Sequence, residues 1–341
     1  MRIAIVVNEV SGVRAAQTTW LLGVAAAARG HEVAWVGVAE LGAREDGRIV
    51  AMARALRLAA GEVAGDGLAE AALAAMQRER AREVVLDEMD VVLLRTSPGR
   101  DARGWAHAGA FVLLRLLVER GVTVLNDPDG LARAGTKLWL FAVPERYRPR
   151  TMVSRELEAI RAFVKSCPGG AVLKPSGGTR GDDVFVVREG AYDNLNQIVD
   201  VLGRAGYVMA QEFVPEAVAG DMRLILVDGR PLQVDGAYCA VRRVPSGDDF
   251  RSNVHVGATV APGYPTAAHL ELAAVVGERL RAAGIFLAGL DLIGDKVVEV
   301  NAYSAGGLMD ANRFHARDFT GAIVDAIVRR SMRRSDSNAR A

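Results

Sequence analysis

Strand–helix alternation over the first third of the chain limits its fold more than any other feature. Ile3–Val7 is a short continuous apolar run ending at Asn8, the pattern of a strand buried on both faces. A helical stretch follows over about Arg14–Arg29 and stops at Gly30, and Val33–Val38 reads as a second strand. Gly47–Arg82 is Ala-rich and reads as mostly helical, with breaks near Gly61–Gly67. Val91–Leu94 reads as a buried strand, Gly104–Arg120 as a helix stopped by Gly121, and Val122–Leu125 as a strand. This alternation predicts an open parallel α/β domain over 1–126.

The pattern then changes. Leu131–Phe141 and Arg155–Ser166 read as helices, and Ala171–Lys174 and Val184–Val187 as strands around a glycine-rich loop. Leu195–Arg204 reads as a helix and Tyr207–Ala210 as a strand. After residue 212 the chain becomes β-rich, with strands at Met222–Val227 and Pro231–Val241 and a long helix over 265–283. Strands at Phe286–Ile293 and Lys296–Ala302 and a closing helix at about 317–330 complete it. Two or three domains suit a chain of 341 residues. The boundaries fall at 1–126, 127–212 and 213–330, with 331–341 as a flexible, arginine-bearing tail.

Composition excludes several classes of function. Lys+Arg 42 against Asp+Glu 41 provides no electrostatic reason for a nucleic acid or an anionic membrane as partner. Five apolar residues after Met1-Arg2 do not make a signal peptide, and no run approaches the ~20 residues of a membrane span. Cys167 and Cys239 do not make a disulfide framework and read as core thiols in a reducing cytosol. The five histidines are scattered, which disfavours structural zinc. No Gly-x-Gly-x-x-Gly follows Val7, and no Gly-x-Ser-x-Gly occurs. Gly130–Lys137 reads Gly-x-x-x-x-Gly-Thr-Lys, a P-loop with its last two residues inverted, which misplaces both the lysine and the hydroxyl.

Three separated features fit one nucleotide site. Lys174 ends a strand before Pro175-Ser176-Gly177-Gly178-Thr179-Arg180-Gly181. Glycines let backbone amides approach phosphate oxygens, although many such loops are only hairpin turns. Asp291, Glu299 and Asn301 place three oxygen ligands on two adjacent strands joined at Gly294-Asp295. Mg²⁺ takes such ligands with phosphate oxygens and water, and a solvated hairpin face is the alternative. A two-residue turn would pair Asp291 with Val298 and put Glu299 on the opposite face, so a shared site demands an odd loop or a bulge. Last, only four of the 42 basic residues are lysine: Lys137, Lys165, Lys174 and Lys296. A compact ammonium fits against one phosphate where a planar guanidinium does not, so Lys137 and Lys174 are candidates, with chance as the alternative.

These residues resemble the ATP-grasp ligases, and specifically bacterial glutathione synthetases. The resemblance is carried by Asn126-Asp127-Pro128 followed by Lys137, by Leu173-Lys174-Pro175 with its glycine loop, and by Met209–Val214. It continues through Gly220–Arg223 into Val227-Asp228-Gly229, through Arg243-Val244-Pro245 and Arg251-Ser252-Asn253, and through Gly289–Asp291 to Glu299–Asn301. It covers about 120–330 in order and spacing. It implies an α/β chain with an ATP-grasp fold: a Rossmann-like domain over 1–126, a lid domain over 127–212 and a catalytic domain over 213–330. Lys137, Lys174, Gly177, Gly178, Thr179, Arg180 and Gly181 would hold the ATP phosphates, and the backbone of Gln211, Glu212, Phe213 and Val214 the adenine. Asp291, Glu299 and Asn301 would hold Mg²⁺ or Mn²⁺. Arg223, Arg251 and Asn253 would stabilise charge while a carboxylate is phosphorylated and an amine displaces the phosphate. Amino-acid or short-peptide substrates, a cytoplasmic setting and a homo-oligomer are also implied.

Departures fall where the amine acceptor should bind. Arg95-Thr96-Ser97-Pro98-Gly99-Arg100-Asp101 replaces the family's acidic, proline-paired loop. Asn301–Leu308 and Asp249–His255 also resemble ligases that add glutamate to a ribosomal protein's C-terminus. Arg95, Ser97, Ser304, Gly306 and Gly307 are therefore the candidate substrate residues. Arg180 either touches phosphate or is solvated. Glutathione formation is the leading expectation. A ligase for another amino acid or peptide is the alternative, and a non-catalytic nucleotide-binding regulator is a third reading.

Overall fold

The computed structural model describes residues 1–58, 68–178, 182–245 and 259–338. The first region contains β1 (Arg2–Val7), α1 (Thr18–Ala28), β2 (Glu32–Ala43), β3 (Ile49–Leu56), α2 (Leu68–Arg78), β4 (Arg82–Val85), β5 (Val91–Leu94), α3 (Gly104–Glu119) and β6 (Thr123–Leu125). They build a six-stranded sheet in the order β4-β3-β2-β1-β5-β6. The strands β2, β1, β5 and β6 are parallel, as the alternation requires. Alternate residues of β1 serve opposite cores: Ala4 and Val6 pack with α3, Ile3 and Ile5 with α1.

One expectation is corrected here. The Ala-rich segment after Gly47 is not mostly helical. Ile49–Leu56 is β3, antiparallel to β2, and Arg82–Val85 is β4 beyond it. Ile49, Ala51 and Ala53 are buried while Met52 is exposed, so a period of two was present beneath alanine's helix preference. Pairing with an unusually long β2 decided the outcome.

The second region begins with α4 (Pro128–Ala134), whose first turn is capped by the Asp127 carboxylate accepting the Gly130 N–H at 2.9 Å. Leu131–Phe141 is not one helix. The α4 helix stops at Gly135, where a side chain would collide with the Tyr303 ring, and a 3-10 turn resumes over Lys137–Ala142. Then come β7 (Thr151–Ser154), α5 (Leu157–Lys165), β8 (Ala171–Pro175), β9 (Phe185–Val187), α6 (Leu195–Gly203) and β10 (Val208–Glu212). These form an antiparallel sheet, β7-β10-β8-β9, over a core of their own that includes Ile160, Leu173, Val199 and Val208. Leu131, Ala134, Leu140 and Val143 belong instead to the core shared by the outer regions. The separately packed unit thus begins after residue 143, not at 127.

The third region contains β11 (Asp221–Val227), β12 (Arg230–Pro231), β13 (Gln233–Val234), β14 (Ala237–Tyr238), β15 (Ala240–Val244), β16 (Thr259–Pro262), α7 (Ala267–Ala282), β17 (Leu287–Ile293), β18 (Lys296–Asn301), α8 (Leu308–His315) and α9 (Phe319–Asn338). Its sheet runs β16-β15-β11-β17-β18, with β12 folded onto β11. The stretch Pro231–Val241 is not one strand, because Asp235 (φ 46°) and Gly236 (φ 79°) turn β13 back as β14. Nor is the chain a loose tail from residue 331. The α9 helix runs to Asn338, and the buried Ser331 hydroxyl donates to the Asp90 carbonyl at 3.3 Å. Phe319, Ile323 and Ile327 of α9 join Trp20 and Leu22 of α1 in one core, docking the first region against the third.

Candidate active site

The β17–β18 hairpin sets the register of the site. Its turn is the two residues Gly294-Asp295, since Ile293 pairs with Lys296 and Leu292 with Val297. That turn alone would bring Val298 opposite Asp291. A bulge at Val298 shifts the register, so Asp291 pairs with Glu299 and Gly289 with Asn301. Asp291, Glu299 and Asn301 therefore share a face. The bulge has a second effect: the Val298 carbonyl accepts from the Lys174 ammonium at 3.4 Å.

Asp291 is buried at the centre of a charge network. The β11 strand pairs with β17 so that Arg223 lies opposite Asp291. The Arg223 guanidinium donates Nε to Oδ1 and Nη2 to Oδ2, both at 2.7 Å. The Asn301 amide donates to Oδ2 at 3.1 Å, and Arg243 Nη2 lies 2.9 Å from it. Arg243 also clamps Asp221 with both Nε and Nη2. Burial would raise the Asp291 carboxyl, but Arg223 and Arg243 outweigh it and hold the group well below the usual carboxylate range. Asp221 goes the other way: burial, with the nearby Asp291 charge, pushes it up to about 6. Arg243 and Asp221 were not singled out as functional in the sequence. Their signal was weak but present, since Asp221 lies two residues before Arg223 on one strand face.

Two lysines face this hairpin from the second region. Lys174, on β8, is buried, and its ammonium donates to Gln211 Oε1 at 3.1 Å. Burial pushes it down to about 8 despite the opposing pull of Glu299. The Lys137 ammonium donates to the carbonyls of Gly177 at 2.9 Å and Gly178 at 2.8 Å, and burial lowers it too, again against Glu299. Lys137 thus ties down the start of the glycine loop, where Gly178 sits at φ 91°. Thr179, Arg180 and Gly181 lie outside the described residues, as do Arg251 and Asn253. The other two lysines are elsewhere: Lys296 donates to the Arg146 carbonyl at 2.8 Å, and Lys165 lies over the Tyr192 ring.

The segment Gln211–Val214 follows Lys174 across the sheet. The Gln211 side chain spans Lys174 and Thr151 Oγ1, the latter at 3.2 Å, and so orients the lysine. The Glu212 and Phe213 amides are already committed to the carbonyls of Arg150 at 2.9 Å and Gly170 at 3.0 Å. The Phe213 ring lies under Arg188, and Val214 leads into a 3-10 turn at Pro215–Ala219.

On the other side, Arg95 is buried. It donates to Thr19 Oγ1 at 3.3 Å and to the carbonyls of Tyr303 and Ala305, each at 3.2 Å. Burial lowers it to about 10. Its role is to hold the 303–305 loop. Ser97 engages through its backbone, exchanging bonds of 2.7 and 2.9 Å with the Asn8 side chain. Gly307 (φ 101°) begins α8 beside Val241, while a side chain at Gly306 would meet open space. A Cβ at Gly289 would lie 3.1 Å from Ala305 and 3.5 Å from Arg223, which brings Ser304–Gly307 beside the charge network.

Among the described residues no three His, Cys, Asp or Glu side chains gather as a metal cluster. The hard oxygens of Asp291, Glu299 and Asn301 nevertheless suit a divalent cation that completes its shell from phosphate and water. The Asn301 NH₂ is turned to Asp291, which leaves its carbonyl oxygen as the end for a cation.

Residues 1–132 match the family model of the prokaryotic glutathione synthetase N-terminal domain, and residues 136–316 that of its ATP-grasp domain. The glutathione synthetase of Xanthomonas axonopodis pv. citri is 34% identical over 334 residues, covering 95% of this chain and 97% of that protein. That of Synechococcus elongatus is 32% identical over 335 residues, covering 96% and 99%. Among solved structures, the ATP-grasp ligase PsnB complexed with its minimal precursor superposes with a TM-score of 0.61 at 19% identity, covering 95% and 98% of the two chains. The D-cycloserine synthetase DcsG does so with a TM-score of 0.60 at 16% identity, covering 96% and 99%. At such identities these two establish the ATP-grasp fold alone.

Proposed function

The chain belongs to the prokaryotic glutathione synthetase family and is an ATP-dependent ligase that forms a carbon–nitrogen bond, and from this premise we propose how its residues divide the work. The reaction supported best is glutathione formation. A carboxylate of γ-glutamylcysteine takes the γ-phosphoryl group of ATP, and the glycine amine displaces phosphate from the acyl phosphate. The observation that carries this reading is the match to both domains of the family, with 34% identity to a glutathione synthetase along 95% of the chain.

Phosphoryl transfer needs positioning and charge more than covalent chemistry. Lys137 and Lys174 meet the ATP phosphates, and Gly177, Gly178, Thr179, Arg180 and Gly181 join them in phosphate binding. Gln211–Val214 borders the adenine, offering carbonyls where the Glu212 and Phe213 amides are spent. Asp291, Glu299 and Asn301 would hold the divalent metal, magnesium or manganese, which offsets phosphate charge when bound. Arg223, with Arg251 and Asn253, stabilises the phosphoryl group and the tetrahedral intermediate. Ser97, Ser304, Gly306 and Gly307 border the amine acceptor, and Arg95 positions that border. Excluding water keeps the acyl phosphate from hydrolysis. No helix among the described residues is long and apolar enough to cross a membrane. A cytoplasmic homo-oligomer acting on small amino-acid or peptide substrates completes the reading.

ADP release measured with γ-glutamylcysteine plus glycine tests it directly. Stimulation above the ATP-only background is expected, and none would remove this substrate pair. The second reading, ligation of another amino acid, is favoured by the Asn301–Leu308 and Asp249–His255 sequences and is tested in the same assay with glutamate as amine.

A further inference from the structure

A cavity of about 250 Å³ opens at the carboxyl end of β1, beside Gly37–Glu40 of β2, outside the nucleotide site. Its walls include Asn8, Glu9, Glu40, Arg54, Gln77 and Arg103. Topology explains its place. The β1 strand is flanked by β2 on one side and β5 on the other, and the helices that follow β1 and β5 lie on opposite faces of the sheet. Such a switch point opens a crevice at the strands' carboxyl ends, where open α/β sheets bind ligands.

The walls carry both signs of charge, incompletely matched. Glu40 Oε1 stands 3.7 Å from Arg54 Nη1, beyond hydrogen-bond range, while Oε2 accepts the Gly37 N–H at 2.8 Å. Arg54 Nε is buried and has no hydrogen-bond partner among the described residues. Arg103 is committed to the chain: Nε and Nη2 go to Asp101, each at 2.8 Å, Nη2 also to the Asn8 carbonyl at 3.1 Å, and Nη1 reaches Glu9 at 2.9 Å. His107 backs that Asp101 from the core at 3.1 Å. Asn8 ties the cavity to Ser97, two residues from the Arg95 that holds the loop beside Arg223.

We propose that this cavity binds the zwitterionic head of the peptide substrate, its α-carboxylate against Arg54 and its α-ammonium against Glu40. The inference rests on the glutathione-forming reading: the γ-glutamyl end carries the one adjacent ammonium–carboxylate pair in that substrate. The cavity is at the small end for a ligand site, which suits an amino-acid head and not a nucleotide. The reacting carboxyl then extends past Ser97 toward Arg223.

The test compares the full chain with Arg54→Gln, Glu40→Gln and Arg54→Lys. Each variant's fold is checked by circular dichroism, and Arg54→Lys keeps the charge if the neutral variant fails to fold. The measurements are KM for γ-glutamylcysteine, KM for ATP, and calorimetric binding of γ-glutamylcysteine and of its des-amino analogue. Loss of a charge-assisted bond raises the peptide KM about tenfold or more in Arg54→Gln, with the ATP KM within about twofold. The des-amino analogue binds the wild type about as weakly as the peptide binds Glu40→Gln. An unchanged peptide KM in folded variants, or a parallel rise in the ATP KM, overturns the proposal. If the wild type does not turn over this substrate pair, the functional reading fails separately. Calorimetry then decides the cavity, and binding that is absent or unaffected by Arg54→Gln rejects it.

Discussion

Lys174 shows at the scale of one residue how function and stability oppose each other. Its ammonium is displaced by burial from 10.5 to about 8, which corresponds to roughly 3 kcal/mol carried by the folded chain while the lysine is charged. Below pH 8 that cost is complete. Between about 8 and 10.5 the unfolded chain binds the extra proton, so ligand-free stability rises with pH. Lys174→Met should therefore stabilise the ligand-free chain by about 1–3 kcal/mol at pH 7, less what the abandoned Gln211 and Val298 acceptors cost, and abolish ATP turnover. Thermal unfolding beside an ADP assay reads both. ATP phosphates favour the charged form, so ATP affinity should be full below pH 8 and weaken as pH rises through it, measured by calorimetry. Arg243 behaves differently. Replacing it with Met strands Asp221 in the interior, while Asp291 keeps Arg223 and Asn301, and should cost about 3–5 kcal/mol in urea denaturation. The rarity of lysine made Lys174 conspicuous in the sequence. Arg243 is one of 38 arginines, and the partners that make it important come from two other strands.

Elements decide which side chains meet. The β17–β18 hairpin satisfies the register condition by a bulge rather than by an odd loop, and a bulge has no reliable sequence mark. The 303–307 loop carries a paired prediction. Gly307 sits at φ 101°, and a Cβ there would press on Val241 at 3.2 Å. Gly307→Ala should lower stability by about 1–2 kcal/mol, since both conformation and space oppose it. Gly306 faces open space, so Gly306→Ala should leave the melting temperature nearly unchanged while altering the KM of the amine substrate. A large loss of stability in Gly306→Ala would mean that the glycine serves the fold instead. Helix ends and buried strands were readable because caps and apolar runs are local signals. The strand nature of β3 was not, because alanine suits a helix in isolation and only the neighbouring β2 makes a strand the better partner.

The whole molecule is held together by a few residues that look ordinary in the sequence. Asn126 makes four buried bonds: Nδ2 to the Leu287 and Ala302 carbonyls at 2.9 and 2.6 Å, and Oδ1 from the Phe286 and Leu287 amides, both at 2.8 Å. It fastens β6 to β17 and to the end of β18. Asn126→Ala leaves four backbone groups unsatisfied and should cost about 3–5 kcal/mol, with both outer regions unfolding together in one transition. Separate transitions would contradict a core shared by the first and third regions. Arg95 adds a second tie, its buried guanidinium holding the carbonyls of Tyr303 and Ala305.

The sequence by itself determined the α/β class, the three-part order, the two conspicuous lysines Lys137 and Lys174, and the oxygen-rich hairpin. All of these rest on local period, local propensity or residue type within a short window. Only the tertiary structure decided that Asp291 is shared by Arg223, Arg243 and Asn301, that Arg95 faces a loop 208 residues away, and that charged walls close a cavity beside β1. These depend on which strands pair and in what register. That choice is made by burial of the whole core, and no local window contains it.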